Sequence, residues 1–247
     1  MLNFLFNKKT EAAELPFETD IHCHILPGID DGSADIEESL ELVRGMQDLG
    51  IRRIVASPHV TMETFENTPE TVAPALDSLK KAMADEGIDM PLVNSAEYRL
   101  DENFLRHLES GILMPLPDNY LLVENSFLME PMNIDDVIFD LQVRGFRPIL
   151  AHPERYTYMH SRPSRYADLH EKGLVFQINL LSLAGYYGKA EKKVAEKLIE
   201  DDMVDFVGSD IHHPHHVQTI KEYLSTKAAH KHFEALRGRL LNDTLTL

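Results

Sequence analysis

The chain has 247 residues, enough for one α/β barrel or two small domains, and it contains no linker segment that would favour two. Its net charge of -17 argues against nucleic acid or an anionic membrane as a partner, and no apolar run approaches the roughly 18 residues of a membrane span. The single cysteine excludes an internal disulfide, so we expect a soluble protein of the reducing cytoplasm.

Seven short apolar runs, each followed by a segment of helical periodicity, alternate along the sequence. The runs predict β-strands at 17–24, 52–59, 91–98, 120–127, 146–152, 174–180 and 204–212. The segments between and after them predict helices at 36–49, 69–86, 102–110, 134–144, 163–172, 189–201 and 217–227. We expect residues 1–16 to form an N-terminal tail and residues 228–247 a C-terminal helix and tail. Such alternation implies parallel strands joined by helical crossovers in a single domain.

The first predicted strand ends in two histidines, His22 and His24, that share a face because alternate side chains of a strand point to opposite sides. The Pro-Gly and Asp-Gly pairs that follow let the chain fold back and bring Asp30 or Asp31 near them. Cys23 points to the other face. It does not begin the phosphate-binding loop of a cysteine-dependent phosphatase, which needs an arginine about six positions further on. The stretch is typical of the start of a metal site.

Histidines and carboxylates also follow most of the other predicted strands. They are His59, Glu97, Glu124, His152, Asp210 and His212. Each alone has an ordinary explanation as a core or surface group, but ligand-type residues at the ends of six of seven strands are hard to assign to chance. The carboxyl ends of parallel barrel strands form one mouth, where such folds carry their sites. Imidazole and carboxylate ligands without thiolate suit manganese, iron, zinc or magnesium, so the sequence predicts a metal centre there.

Several motifs together resemble one enzyme superfamily over nearly the whole chain. They are Asp20-Ile-His-Cys-His24, Pro27-Gly-Ile-Asp-Asp-Gly-Ser33, Ser57-Pro-His59, Ala96-Glu-Tyr98, Glu124, Ala151-His-Pro-Glu-Arg155 and Gly208-Ser-Asp-Ile-His212. The pattern is similar to the polymerase-and-histidinol-phosphatase (PHP) superfamily. Within it, the segment 26–33 and the His-Pro-Glu-Arg segment resemble the bacterial tyrosine-protein phosphatases of the CpsB/YwqE type, which act on capsule and exopolysaccharide kinases.

The resemblance implies one PHP domain over residues 1–247, folded as a distorted seven-stranded (β/α)7 TIM-like barrel that holds three divalent metal ions, Mn, Fe or Zn. By position, the first ion would be held by His22, His24, Glu97 and Asp210, the second by Glu97, Glu124 and His152, and the third by Asp31, His59 and His212. Arg155 would contact the phosphate. The chain departs from the family pattern after His212, where His213-Pro214-His215-His216 puts an arginine contact from that loop in doubt.

The implied chemistry is hydrolysis of phosphotyrosine on a bacterial tyrosine kinase tail or another exopolysaccharide-pathway protein. A water whose pKa the metal ions lower would attack phosphorus in line. Three divalent ions outweigh the four candidate carboxylates, so the site would be net positive and attract a phosphate despite the acidic chain. His59 or His212 is the expected proton donor, if a donor is needed. The residues expected to contact substrate are Arg155, Arg99, Tyr98 and Phe65, and other aromatic candidates are Phe127, Tyr156, Tyr158, Tyr186 and Tyr187.

Three alternatives stay open at this point. A PHP phosphoesterase for histidinol phosphate or a sugar phosphate would use the same metal ligands. An amidohydrolase barrel also begins with a His-x-His pair, but Arg155 suits phosphate better than a neutral amide. A catalytically inactive kinase-binding scaffold would bind its partner without turnover.

Overall fold

The computed structural model describes residues 11–246, which form an α/β fold of parallel strands and surrounding helices. Its strands are β1 (Thr19–Asp20), β2 (Arg53–Ala56), β3 (His59–Val60), β4 (Leu92–Asn94), β5 (Glu97–Arg99), β6 (Tyr120–Glu124), β7 (Arg147–Ala151), β8 (Val175–Asn179) and β9 (Phe206–Gly208). Its helices are α1 (Ile36–Leu49), α2 (Pro69–Asp85), α3 (Glu102–Ser110), α4 (Ile134–Val143), α5 (Pro163–Glu171), α6 (Leu180–Ala184), α7 (Lys189–Glu200), α8 (Pro214–Leu224) and α9 (Lys227–Leu236).

The strands form two parallel sheets. One has the order β1-β2-β4, and the other, which curls into a half-barrel, has the order β3-β5-β6-β7-β8-β9. The expectation of seven continuous strands is therefore wrong for two of them. The predicted strand 52–59 divides into β2 and β3, which lie in different sheets, and 91–98 divides into β4 and β5 in the same way. Pro58 lies at the first break, where its missing N–H cannot continue a strand ladder.

The predicted helices appear with small changes at their ends. Helix α1 begins after Asp35, whose carboxylate accepts from the Glu38 N–H, and ends at Leu49, before Gly50 in the left-handed conformation, with φ of 101°. The helix predicted at 217–227 begins earlier, at Pro214, and ends at Leu224, after which α9 follows as a separate helix. Among residues 11–246, no helix has both the length and the apolar character needed to cross a membrane.

Both predicted tails pack against the domain where the structure describes them. Residues 1–10 of the expected N-terminal tail lie outside the described residues, but Ala13 is buried and its N–H donates to the Leu224 carbonyl at 2.8 Å. At the other end, the fully buried Asn242 side chain donates to the carbonyls of Thr19 at 2.9 Å and Val207 at 2.8 Å. The C-terminal segment therefore joins β1 to β9.

The polar interior of the domain lies at the carboxyl ends of the strands. There β1 and β9 continue side by side, since the His24 N–H donates to the Ile211 carbonyl and the Asp210 N–H to the His22 carbonyl. Gly32 is required in the turn after His24, because a Cβ at that position would lie 2.1 Å from the His24 carbonyl oxygen. The Ser33 N–H donates to the same carbonyl at 3.0 Å, so the chain turns back on His24 over residues 25–32.

Candidate metal centre

The structure brings the nine residues expected to bind metal to one place at the mouth of the half-barrel. Six are buried: His22, His24, Glu97, Glu124, His152 and Asp210. His59 and His212 are partly exposed, and Asp31 is exposed at the rim. Most of them end or closely follow a strand, as the order of the motifs predicts. His59 and Glu97 instead begin the short strands β3 and β5, each three residues after the end of β2 or β4, and Asp31 lies in the turn after His24. The carboxyl ends of the parallel strands therefore converge on a single cluster.

Several buried ligand-type atoms in this cluster lack a hydrogen-bond partner among the described residues. They are His22 Nε2, His24 Nε2, His59 Nδ1 and Glu97 Oε2. Glu97 Oε2 lies 3.0 Å from His59 Nδ1, 3.3 Å from His22 Nε2 and 3.5 Å from His24 Nε2. Burying unpaired polar atoms costs free energy, whereas a divalent cation among them would accept all of their lone pairs. The residues present fit a metal centre.

The ligand-type atoms fall into four overlapping groups, in each of which they lie within 4.8 Å of one another. The groups are His24, Asp31, His59 and His212; His22, Glu97 and His152; His22, His24 and Asp210; and His59, Glu97 and Glu124. Four residues, His22, His24, His59 and Glu97, each belong to two groups, so the groups form one connected cluster. Because His24 belongs to a group with Asp31, His59 and His212, its side chain faces two of the expected ion positions.

The charges of the cluster shift the pKa values of its members strongly. Burial would lower the pKa of His22 and His59, but facing Glu97 outweighs it and raises these values to about 9 and about 10. Burial, with the charges of His212 and His59, lowers the pKa of His24 to about 4. Burial and the neighbouring Glu97 raise the pKa of Glu124 to about 7. Protons on His22 and His59 therefore balance the buried carboxylates of the metal-free cluster.

Asp30 and Asp31 differ in what their carboxylates contact. Asp30 Oδ2 lies 2.8 Å from His24 Nδ1 and accepts from the His59 N–H at 3.1 Å, so it orients His24 with Nε2 toward the cluster. Asp31 Oδ1 lies 3.4 Å from His59 Nε2 and 3.6 Å from His212 Nε2. Asp31 therefore has the position of a metal ligand, whereas Asp30 has the position of a residue that orients the ligand His24.

A cavity of about 510 Å³ opens above the cluster, between two arginines. Arg155 Nη1 donates to Asp210 Oδ2 at 3.0 Å, and Arg99 Nε donates to Glu124 Oε1 at 2.8 Å. The Arg155 guanidinium also lies 4.0 Å from the Tyr187 ring centre and 4.7 Å from that of Phe127. The cavity thus combines cationic donors with aromatic walls. Its lining includes Asp31, His59, Thr61, Thr64, Phe65, Arg99, Glu124, Phe127, Arg155, Tyr186, Tyr187, Asp210 and His212.

Tyr98 does not line this cavity, and the expectation that it contacts substrate is wrong. Its side chain is fully buried, its hydroxyl accepts from the Met114 N–H at 2.8 Å, and its ring lies 5.7 Å from that of Phe104. Neighbouring residues of a strand face opposite sides, so the inward position of Glu97 places Tyr98 in the outer core and Arg99 at the mouth.

Some residues at the site lie outside the sequence motifs that predicted it. Gln177 and Asn179 on β8 are fully buried beside the cluster, although this strand supplies none of the nine ligand-type residues. Their spacing of two on an apolar strand places both amides on the inner face, which is the signal that could have found them. His216 lies in the segment 213–216, where the sequence differs from the family pattern. It is buried, and its Nδ1 accepts from the His212 N–H at 3.1 Å.

Comparisons with known proteins agree with this geometry. Residues 18–239 match the family model described as capsular polysaccharide synthesis, CpsB/CapC. The chain is 38% identical over 194 residues to the tyrosine-protein phosphatase YwqE of Bacillus subtilis, covering 78% of this chain and 76% of that protein. It is 30% identical over 199 residues to the tyrosine-protein phosphatase CpsB of Streptococcus pneumoniae, covering 78% and 82%.

A similar fold is found in a crystal structure from work on YwqE of Bacillus subtilis and CpsB of Streptococcus pneumoniae, described as metal-dependent tyrosine phosphatases. The TM-score is 0.77 at 34% sequence identity, over 90% of this chain and 95% of that one.

Proposed function

Because this chain belongs to the CpsB/CapC family of capsular polysaccharide synthesis, we propose that it is a metal-dependent protein-tyrosine phosphatase. Its substrate is phosphotyrosine on a bacterial tyrosine kinase or on another protein of an exopolysaccharide pathway. The observation that carries the proposal is the buried cluster of unpaired ligand atoms directly beneath a cavity with two arginines.

The centre holds three divalent ions, Mn, Fe or Zn, within a distorted barrel of seven β/α units. The nine residues that hold them are His22, His24, Asp31, His59, Glu97, Glu124, His152, Asp210 and His212. The four overlapping groups of ligand atoms support more than one ion. Glu97 would contact two of them, because its Oε1 faces His152 at 3.0 Å and its Oε2 faces His59 at 3.0 Å. Bound ions would lower the pKa of a water nucleophile and offset charge on the phosphoryl oxygens.

The side chains above the ions bind and orient the substrate. Arg155 and Arg99, which donate to Asp210 and Glu124 at the edge of the cavity, would also donate to the phosphoryl oxygens of a substrate bound there. Phe127 and Tyr187 flank the Arg155 guanidinium and offer apolar faces to the tyrosyl ring. Phe65 stacks on His59 at 5.8 Å between ring centres and closes the opposite side.

Little proton donation is needed to release the product phenol. A tyrosyl group leaves as a phenolate with a pKa near 10, well below that of an alkyl alcohol. His59 and His212 lie at the open side of the cluster and are the residues placed to hold a proton for it. The same arrangement would give phosphoserine a slower reaction, because its alkoxide is a poorer leaving group.

The test is turnover of a phosphotyrosine peptide, a matched phosphoserine peptide and histidinol phosphate, each with and without a chelator. We expect hydrolysis of the phosphotyrosine peptide to dominate, to stop with the chelator and to return with added Mn²⁺. Preference for histidinol phosphate would favour the small-molecule alternative, and phosphotyrosine binding without turnover would favour a scaffold.

Variants connect this test to the site. Arg155→Ala is expected to lower kcat/KM roughly 100-fold or more while bound metal is unchanged, since it removes a donor to the reacting phosphate. Asp210→Ala is expected to lose bound metal as well as activity. Arg44→Ala, at an exposed arginine of α1, is the control that should match wild type. Unchanged turnover in either site variant with metal supplied would contradict its assigned role.

A further inference from the structure

Strand β8 differs from the other strands of the curled sheet in what it brings to the mouth. Within the described residues, it is the one strand of that sheet that supplies no histidine or carboxylate to the cluster. The inward side chains nearest the mouth are instead amides, Gln177 and Asn179, both fully buried. Buried amides without partners are costly, so their hydrogen bonds indicate what they do there.

The amides link a ligand histidine to a ligand carboxylate through three short contacts. His22 Nδ1 lies 2.7 Å from Gln177 Oε1, Gln177 Nε2 lies 2.8 Å from Asn179 Oδ1, and Asn179 Nδ2 lies 2.6 Å from Asp210 Oδ2. The series begins and ends on residues of the proposed metal centre. The two amides do not line the cavity, and Asp210 is the member of the series that does.

The direction of each hydrogen bond in this series follows from Asp210. An ionised carboxylate oxygen can only accept, and Asp210 Oδ2 also accepts from Arg155 at 3.0 Å and from the Tyr187 hydroxyl at 3.1 Å, so the Asn179 atom beside it must be the amide nitrogen. The Asn179 side-chain oxygen then faces Gln177 and accepts from the Gln177 amide nitrogen. The Gln177 oxygen consequently faces His22. An amide oxygen can only accept, so His22 Nδ1 must carry the hydrogen.

We propose that Gln177 and Asn179 are positioning residues for His22. Their hydrogen bonds, which begin at the acceptor oxygen of Asp210, hold His22 in the tautomer that carries its hydrogen on Nδ1 and binds metal through Nε2. With its hydrogen held on Nδ1, His22 directs the Nε2 lone pair into the cluster, where that atom has no hydrogen-bond partner. This inference rests on the metal centre of the proposed function.

Two neighbouring features hold the amide pair in place. The Asn179 backbone N–H donates at 2.9 Å to Oε1 of Glu154, which is fully buried. Gly208 on β9 leaves room for the close approach of His22 and Gln177, because a Cβ there would lie 2.7 Å from the His22 Cβ and 2.9 Å from Gln177 Nε2. The backbone of β9 is therefore shaped around this contact.

The test compares Gln177→Met with Gln177→Glu in the full chain, with Zn²⁺ as the probe. Methionine keeps the side-chain length but offers His22 no oxygen acceptor, so we expect Zn²⁺ affinity to fall roughly 10- to 100-fold, by competition with a chromophoric chelator. Glutamate keeps the acceptor, and we expect it to retain more of the affinity. Gln142→Met is the control, because Gln142 is exposed and bonds to the Lys172 carbonyl away from the cluster.

Histidine-selective ¹⁵N spectra of the Zn²⁺-loaded proteins report the tautomer directly. Wild type and Gln177→Glu should both show the Nδ1–H form of His22, and Gln177→Met should lose it. Wild-type affinity and spectra in Gln177→Met would overturn the inference, as would equal losses in both Gln177 variants. Turnover is not a readout here, so a protein that binds Zn²⁺ but hydrolyses no phosphotyrosine would contradict the proposed function alone.

Discussion

Glu97 lies at the centre of the cluster and faces four imidazoles within hydrogen-bonding or ion-pair distance, of which that of His24, with Nε2 3.5 Å from Oε2, is the farthest. Its Oε1 is 3.0 Å from His152 Nε2, and its Oε2 is 3.0 Å from His59 Nδ1 and 3.3 Å from His22 Nε2. The imidazoles lower the pKa of Glu97 well below its usual value, although burial opposes this shift. In return, the charge of Glu97 raises the pKa values of His22 and His59.

Metal binding at neutral pH should release protons from two of these neighbours. The pKa of His22 is raised to about 9 and that of His59 to about 10, so both are protonated at pH 7 in the metal-free protein. A cation must displace these protons, and its affinity should therefore rise as pH increases from 7 toward 10. Calorimetric titration with Mn²⁺ in buffers of different ionisation enthalpy measures the release.

His230→Gln serves as the control for this measurement, because His230 is exposed, bonds to the Glu11 carbonyl away from the cavity and belongs to none of the ligand groups. It should release as many protons as wild type. A metal affinity that does not change between pH 7 and pH 9, or binding heats that do not depend on the buffer, would contradict the protonation states assigned to His22 and His59.

At the scale of elements, the segments that follow the strands and α6 add aromatic side chains beside the metal cluster, and these form walls of the substrate cavity. The loop after β6 places Phe127 against both arginines, 4.7 Å from the Arg155 guanidinium and 5.7 Å from that of Arg99. The segment after α6 supplies Tyr187 on the other side of Arg155. These rings restrict the arginines to orientations that face the cavity.

Phe127→Ala should weaken substrate binding more than it slows the chemical step. The ring's attraction to the two guanidinium groups and its apolar face are lost, so KM for a phosphotyrosine peptide should rise roughly 3- to 30-fold. Steady-state kinetics separates KM from kcat. The matched control is Leu128→Ala, because Leu128 is 89% exposed and does not line the cavity. An equal effect of the two substitutions would show that Phe127 has no specific role.

At the scale of the whole molecule, the two ends of the chain close the domain. Near the carboxyl ends of the strands, β1 and β9 are joined by backbone hydrogen bonds that bring His22 beside Asp210. Within the strands themselves, the Asn242 amide donates to carbonyls of both β1 and β9, and its Oδ1 accepts from the Val207 N–H at 3.1 Å. The C-terminal segment therefore supports the strands on which the first and last ligands lie.

Asn242→Ala should destabilise the protein without removing any ligand. It leaves buried backbone groups of Thr19 and Val207 unpaired, which costs about 1–3 kcal/mol in the free energy of unfolding. Urea denaturation of the metal-free protein measures this change. Thr246→Ala, at an exposed position of the same segment, should lie within about 0.5 kcal/mol of wild type. Equal stability of the two variants would contradict the closing role of Asn242.

Much of the fold and the site is predictable from local sequence patterns. The helix periodicity defines α1 and α3 at their observed bounds, and alternation along the first strand predicts that His22 and His24 share a face. The same alternation would have placed Tyr98 opposite Glu97, so that error lay in the interpretation rather than in the pattern. The division of 52–59 and 91–98 into separate strands depends on how the two sheets pack against each other. Local periodicity does not predict this packing.

The sequence by itself determined the kinds of ligand, their order along the chain and the strand ends that carry them, because these follow from residue identity and local periodicity. Only the tertiary structure decided which atoms face one another. His22 and Gln177 are 155 residues apart in sequence, and their 2.7 Å contact depends on the order and register of the strands between them. The tautomer proposed for His22 and the closure at Asn242 both arise from such distant contacts, since hydrogen-bond direction is fixed by the partner and not by the residue alone.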